Sequence, residues 1–134
     1  MWETFGITKS MNCGMGRQGD LSDQALIEGS ADFVGELAAG SFMNKPIYEY
    51  GYAHEAELWS EFQLAMNGTN TTAWLYNQGN ASSPRPGDLG YFIGYRIAQA
   101  YYNKSADKRA ALKAIIEVSD AARFLAASGY NGQP

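Results

Sequence analysis

Apolar residues recur along this chain at intervals of three and four, the spacing of one face of an α-helix, and strand-like alternation never persists. The first twenty residues are rich in glycine, follow no pattern and read as an irregular lead-in. Ser22 then offers an N-cap, with Asp23 in the first turn, where the helix dipole favours an anion. Ile27, Ala31, Val34 and Ala38 follow at helical spacing, and Gly40 is a natural stop. The segment SFMNKPIYEYGY, containing Pro46, reads as a connector. From Ala53 to Met66 a second amphipathic helix repeats apolar residues at Ala56, Trp59, Phe62 and Met66, ending at Asn67-Gly68. Residues 69 to 88 carry mostly turn chemistry, with room for a short helix around Trp74 to Tyr76.

Asp88 is placed to cap a third long helix, LGYFIGYRIAQAYYNK, whose apolar side is Leu89, Phe92, Ile93, Ile97 and Ala100. Gly90 and Gly94 lie one turn apart on it and would let another backbone approach closely. Ser105 is the expected cap of ADKRAALKAIIEV, and Ser119 of DAARFLAAS, which Gly129 closes. The expectation is an all-α domain of about five helices over residues 1–134, with residues 1–20 as lead-in and 21–130 as the helical core. A chain of 134 residues suffices for one core, and no repeat or linker divides it.

Composition narrows the function classes. With 46% hydrophobic and 13% aromatic residues, the composition is that expected of a folded domain rather than of a disordered chain. The net charge of −4 argues against a phosphate-binding surface, so nucleic acid is not an expected partner. Cys13 is the one cysteine, which excludes an intrachain disulfide and cysteine-rich metal sites. No apolar run approaches the roughly 20 residues that cross a bilayer. No signal-peptide pattern opens the sequence, so the expected location is the cytoplasm, or the periplasm or exterior if an export signal lies upstream. Asn67, Asn70, Asn80 and Asn103 begin glycosylation-type triplets, which arise readily by chance in Asn- and Thr-rich stretches.

The candidate chemistry lies in ALIEGSADFVGEL. Glu28 and Asp32 stack one turn apart on the same side of a helix. Solvation, or pairing with Arg96 or another base, would account for them. A metal would account for them as well, with Glu28 as ligand and Asp32 accepting a hydrogen bond from a ligand histidine.

The segment resembles the downstream helix of gluzincin zinc metallopeptidases, which supplies a glutamate ligand in an E-G-x-x-D pattern. Further along, PRPGDLGYFIGYRIAQAYYNKS and ALKAIIEVSDAARFLAASGY resemble the C-terminal half of a bacterial family of predicted Zn-dependent proteases that includes relatives of a gliding-motility lipoprotein. The resemblance spans roughly residues 20 to 130. It implies a helical domain, zinc as cofactor and peptide hydrolysis, with Glu28 as third zinc ligand and Asp32 as the acid behind a ligand histidine. On the later helix it makes Tyr91, Tyr95 and Arg96 candidates for stabilising the oxyanion; tyrosines there are equally explained as core residues with their hydroxyls at the edge.

One departure from that family is plain. HExxH is absent, and the one histidine, His54, lies in HEAEL, where Leu58 stands at the position of the second histidine. His54 is expected to be a surface or capping residue. The chain is expected to be a C-terminal fragment of a longer peptidase or a descendant that has lost catalysis. The helix face left without its HExxH partner then calls for cover, by self-association into a dimer or by an HExxH-bearing segment. Two further readings use other features: a non-catalytic interaction module presenting Trp59, Trp74 and Tyr76, and a carbohydrate-active enzyme with Glu28 as acid. The latter needs carboxylates flanking a cleft some 5–10 Å apart, whereas Glu28 and Asp32 would project from one wall.

Overall fold

The computed structural model describes residues 20–40, 45–68, 73–75 and 86–133. Among them are six helices and no strand: α1 (Leu21–Ala39), α2 (Lys45–Ala53), α3 (Glu55–Ala65), α4 (Leu89–Lys104), α5 (Lys108–Ile116) and α6 (Ala121–Ser128). The all-α expectation holds. The lead-in with Cys13, the triplets at Asn70 and Asn80, and Tyr76 lie outside the described residues.

α4 is the centre of the fold. Its residues Leu89, Gly90 and Phe92 to Ala98 are buried, with α1 across one side and α2, α5 and α6 packed around it. The α1–α4 crossing is closer than side chains would allow. A Cβ on Gly94 would stand 1.9 Å from the Ala25 carbonyl oxygen, and one on Gly29 would stand 2.2 Å from the Tyr95 backbone nitrogen. Two glycines therefore let two backbones touch. Gly90, one turn before Gly94, serves another neighbour: its N–H donates to the Trp74 carbonyl at 2.8 Å, and Leu75 packs over it.

The three helix starts for which a serine cap was expected are set by aspartates instead. Asp20 is the N-cap of α1 and forms a reciprocal capping box with Asp23, while Ser22 donates its hydroxyl to Asp20 at 2.7 Å. Asp107 and Asp120 cap α5 and α6 by accepting from Ala110 N and Arg123 N, each at 3.1 Å. Ser105 instead ends α4. Each displaced serine lies within two residues of an aspartate able to fill the same role, and pattern alone ranks the two types almost equally. Asp88 precedes α4 but makes no side-chain cap bond; its backbone is left-handed, with φ 61°. Gly40 and Gly129 do close α1 and α6 in the left-handed conformation.

Two segment assignments change. The connector around Pro46 is helical from Lys45, which proline permits because the first turn has no intrahelical use for its missing N–H. The single helix expected from Ala53 is interrupted at His54, so α3 begins at Glu55; residues 73–75 form a turn.

The α1 stripe also changes side. The buried positions are Leu21, Ala25, Leu26, Gly29, Ser30 and Phe33. Ile27, Ala31 and Ala38 are exposed and Val34 only partly covered. Trp59 and Trp74 are core residues, 7% and 4% exposed, so they do not form the aromatic interaction surface expected of them. Trp59 meets Tyr130 edge-on at 4.9 Å and Phe62 meets Trp74 at 5.1 Å, which ties α3 to the chain's last turn and to residues 73–75. Ala56, expected on the α3 core side, is exposed because Glu55 and Leu58 occupy that side.

Candidate functional site

Three carboxylates stand along α1 at successive turns: Glu28, Asp32 and Glu36. All three are half-buried at the margin of the α1 core face. Asp32 accepts a hydrogen bond of 2.5 Å from the hydroxyl of Tyr48, a buried residue of α2. Glu36 accepts one from Tyr95, a buried residue of α4. The two tyrosine rings meet edge-on at 4.9 Å, so the donors are themselves packed together. Three helices are joined through this row.

Burial raises the Asp32 carboxyl above the ordinary carboxylate value, the Tyr48 hydrogen bond opposes that rise, and the neighbouring charge of Glu28 adds to it. Burial and then the carboxylate partner push the Tyr48 and Tyr95 hydroxyls far above the usual phenol range. Both tyrosines are held as neutral donors.

A second polar cluster lies across α4. Glu55, at the start of α3 and 5% exposed, accepts from Arg96 Nε at 2.6 Å and from the Tyr130 hydroxyl at 2.6 Å, both on Oε2. Arg96 also donates to Gln99, and its guanidinium lies over the Tyr52 ring at 5.1 Å. Burial alone would lower the Arg96 pKa, but the hydrogen bond and charge of Glu55 outweigh it and leave it raised. Nothing in the sequence pattern of α3 marks Glu55 as buried. The one available signal is Arg96 among the apolar residues Ile93, Ile97 and Ala98 of α4, since a buried guanidinium requires an acid.

The sequence candidates thus separate. Glu28 and Asp32 share one side of α1, as the spacing predicts. Tyr95 faces α1 through Glu36, whereas Arg96 faces α3 through Glu55, so consecutive residues of α4 serve different clusters. Tyr91 is partly buried against the core.

His54 sits at the N-cap position of α3 without a side-chain cap bond. Its ring stacks on Tyr50 at 4.0 Å, with Nδ1 3.0 Å from the Tyr50 carbonyl oxygen. Beside it an open depression of about 410 Å³ runs between the start of α3 and Gly132.

Zinc asks for three or four nitrogen, sulfur or carboxylate donors around one point. Among the described residues no group of three His, Cys, Asp or Glu side chains meets that demand. Two carboxylates of one helix do not supply a tetrahedral donor set, and the described residues do not fit the metal by themselves. Comparison with protein-family models, curated proteins and solved structures returned no match to this chain. Among the described residues no helix is long and apolar enough to cross a membrane.

Proposed function

We propose that this chain is the glutamate-bearing helical part of a gluzincin-type zinc metallopeptidase, without catalytic competence by itself. Glu28 is its vestigial third zinc ligand, and Asp32 is the acid that would orient a ligand histidine. The observation that carries this reading is the setting of the E-G-x-x-D residues. Glu28 and Asp32 lie one turn apart beside the uncovered side of α1, and the Asp32 carboxylate is steadied from below by Tyr48 at 2.5 Å. Gly29, between them, is required by the α1–α4 crossing, so the same short motif serves both the fold and the acids. On this reading the histidines come from an HExxH-bearing helix laid against α1, and a peptide is the substrate only of the completed assembly.

Metal analysis and a protease assay test it. The purified chain is expected to hold no stoichiometric zinc and to leave casein intact. A synthetic helix containing HExxH is expected to raise its zinc affinity, and Glu28→Gln to remove that gain. Zinc at unit occupancy on the chain alone, bound through Glu28 and His54, would overturn the reading.

A second reading rests on the exposure of Ile27 and Leu37, 51% and 46%. It makes the chain a non-catalytic helical interaction module that self-associates through α1. Sedimentation at micromolar concentration distinguishes them, since a dimer is required by the second reading and not by the first.

A further inference from the structure

The sequence contains two Asn-Gly pairs, Asn67-Gly68 and Asn131-Gly132. An asparagine followed by glycine readily loses its side-chain amide. The next backbone nitrogen closes a five-membered ring on Cγ, and glycine has no Cβ to hinder the approach. The fold treats the two pairs differently. Gly68 N donates to the Ala65 carbonyl at 3.0 Å, and the Gly68 carbonyl accepts from Leu21 N at 2.8 Å, so this glycine is held at both of its polar groups. Gly132 N donates to nothing among the described residues, and Asn131 is exposed. Gly132 also borders the open depression of about 410 Å³ beside His54 and Glu57, through which water reaches the turn.

Packing requires the glycine that makes the pair labile. Gly132 has φ 85°, in the left-handed region, and a Cβ there would stand 2.5 Å from Trp59 Cδ1. On the other side of Asn131, Tyr130 is anchored by its hydroxyl on Glu55 at 2.6 Å and by its ring on Trp59 at 4.9 Å. Asn131 therefore lies between two points fixed against α3, each one residue away.

We infer that Asn131 is a site of spontaneous deamidation, and that the isoaspartate formed there loosens the Tyr130–Gly132 turn from α3. The Gly132 nitrogen gives its proton to hydroxide and bonds to Asn131 Cγ. The Cγ–Nδ2 bond breaks, and the amide nitrogen leaves as ammonia after taking a proton from water. Water then adds to the Asn131 backbone carbonyl of the succinimide, and the bond from that carbon to the Gly132 nitrogen breaks. The chain now runs through the former side chain, one carbon longer, and the old carbonyl carbon has become a carboxylate. Two anchors set for the shorter path no longer both fit. The inference is independent of the peptidase reading, since neither residue belongs to α1.

The test incubates the whole chain at mildly alkaline pH and follows both pairs by peptide mass spectrometry for the exchange of amide for acid. Asn131 is expected to convert about fivefold faster than Asn67, the factor that one backbone hydrogen bond held at Gly68 and missing at Gly132 supplies. In guanidinium chloride, where neither nitrogen is held, the two rates should converge. The rate at Asn131 should rise with pH, because the attacking nitrogen must first lose its proton. Asn131→Gln, which would have to close a larger ring, should stop conversion at that position.

Ion exchange then separates the isoaspartate form, whose urea midpoint is expected to lie below that of Asn131→Asp, a variant with the same charge on a chain of ordinary length. Asn67 converting as fast as Asn131 in the folded chain would overturn the site. So would an Asn131 that stays intact in the folded chain while it reacts in guanidinium chloride. An isoaspartate form as stable as Asn131→Asp would overturn the loosening of the turn.

Discussion

Glu55 Oε2 receives two hydrogen bonds at once, from Arg96 Nε and from the Tyr130 hydroxyl, each at 2.6 Å. One carboxylate oxygen thereby joins the start of α3, the middle of α4 and the turn after α6. Breaking a buried ion pair by removing one partner leaves the other charge without compensation. Glu55→Ala is therefore expected to destabilise the chain by about 3–5 kcal/mol. Tyr130→Phe, which removes one donor and keeps the ring on Trp59, is expected to cost about 1 kcal/mol. Urea unfolding of both variants checks the order. Equal small effects would show that the cluster is not holding the three elements together.

The α1–α4 crossing makes a prediction of opposite signs for three glycines of similar sequence context. Gly29→Ala and Gly94→Ala insert a methyl group into backbone at 2.2 Å and 1.9 Å, so the helices must separate. Forcing even single methylenes into packed cores costs roughly 1–3 kcal/mol, and backbone that cannot yield lies at or above the top of that range. Gly35→Ala meets nothing within 4 Å in an exposed helical position, and is expected to stabilise by up to about 1 kcal/mol through helix propensity. Thermal unfolding midpoints of the three variants are the measurement.

Alkali should unfold this protein. Burial first, and then their carboxylate partners, raise the hydroxyls of Tyr48, Tyr95 and Tyr130 above the ordinary phenol value. A raised folded-state pKa means that the native chain keeps protons which the unfolded chain releases. The stabilisation is complete below the unfolded tyrosine value of about 10 and is lost as pH rises beyond it. Stability measured in urea should fall steeply above about pH 10, and Tyr48→Phe should flatten the fall. A slope that Tyr48→Phe leaves unchanged would remove Tyr48 from the explanation.

The Tyr48–Asp32 bond has its own signature. Burial and Glu28 raise the Asp32 carboxyl, while the Tyr48 hydroxyl opposes them. Tyr48→Phe should therefore raise the Asp32 pKa further, as read by carboxyl carbon shifts in NMR titration. Glu28→Gln should lower it by removing a like charge. Because the carboxyl of Asp32 is raised in the fold, its ionisation opposes folding above the folded-state value, and its contribution improves as pH falls through that value.

Much of the fold was legible in order. Periodicity located α1, α3 and α4, Gly40 and Gly129 closed the helices they were expected to close, and Gly90 and Gly94 each admit another backbone as expected, though from two different neighbours. Local signals fix these features, because helix spacing and left-handed glycine are properties of a few consecutive residues. The caps were misassigned by one or two residues, since Ser22, Ser105 and Ser119 each stand close to an aspartate of equal capping ability.

What the chain alone could not decide is which of two apolar sides of α1 faces inward. Ile27, Ala31, Val34 and Ala38 have the right spacing for a core stripe, and so do Leu21, Ala25, Leu26, Gly29 and Phe33. Only the fit of Gly29 into Gly94 of α4 selects the second set. The donors were hidden for the same reason. Tyr48 finds Asp32 across sixteen residues, and Tyr130 finds Glu55 across seventy-five, separations that no local pattern encodes. The sequence by itself determined helices and their acids; the tertiary structure decided which side of each helix is inside and which tyrosine each acid receives, because burial is a property of the packed molecule and not of the strand of residues that enters it.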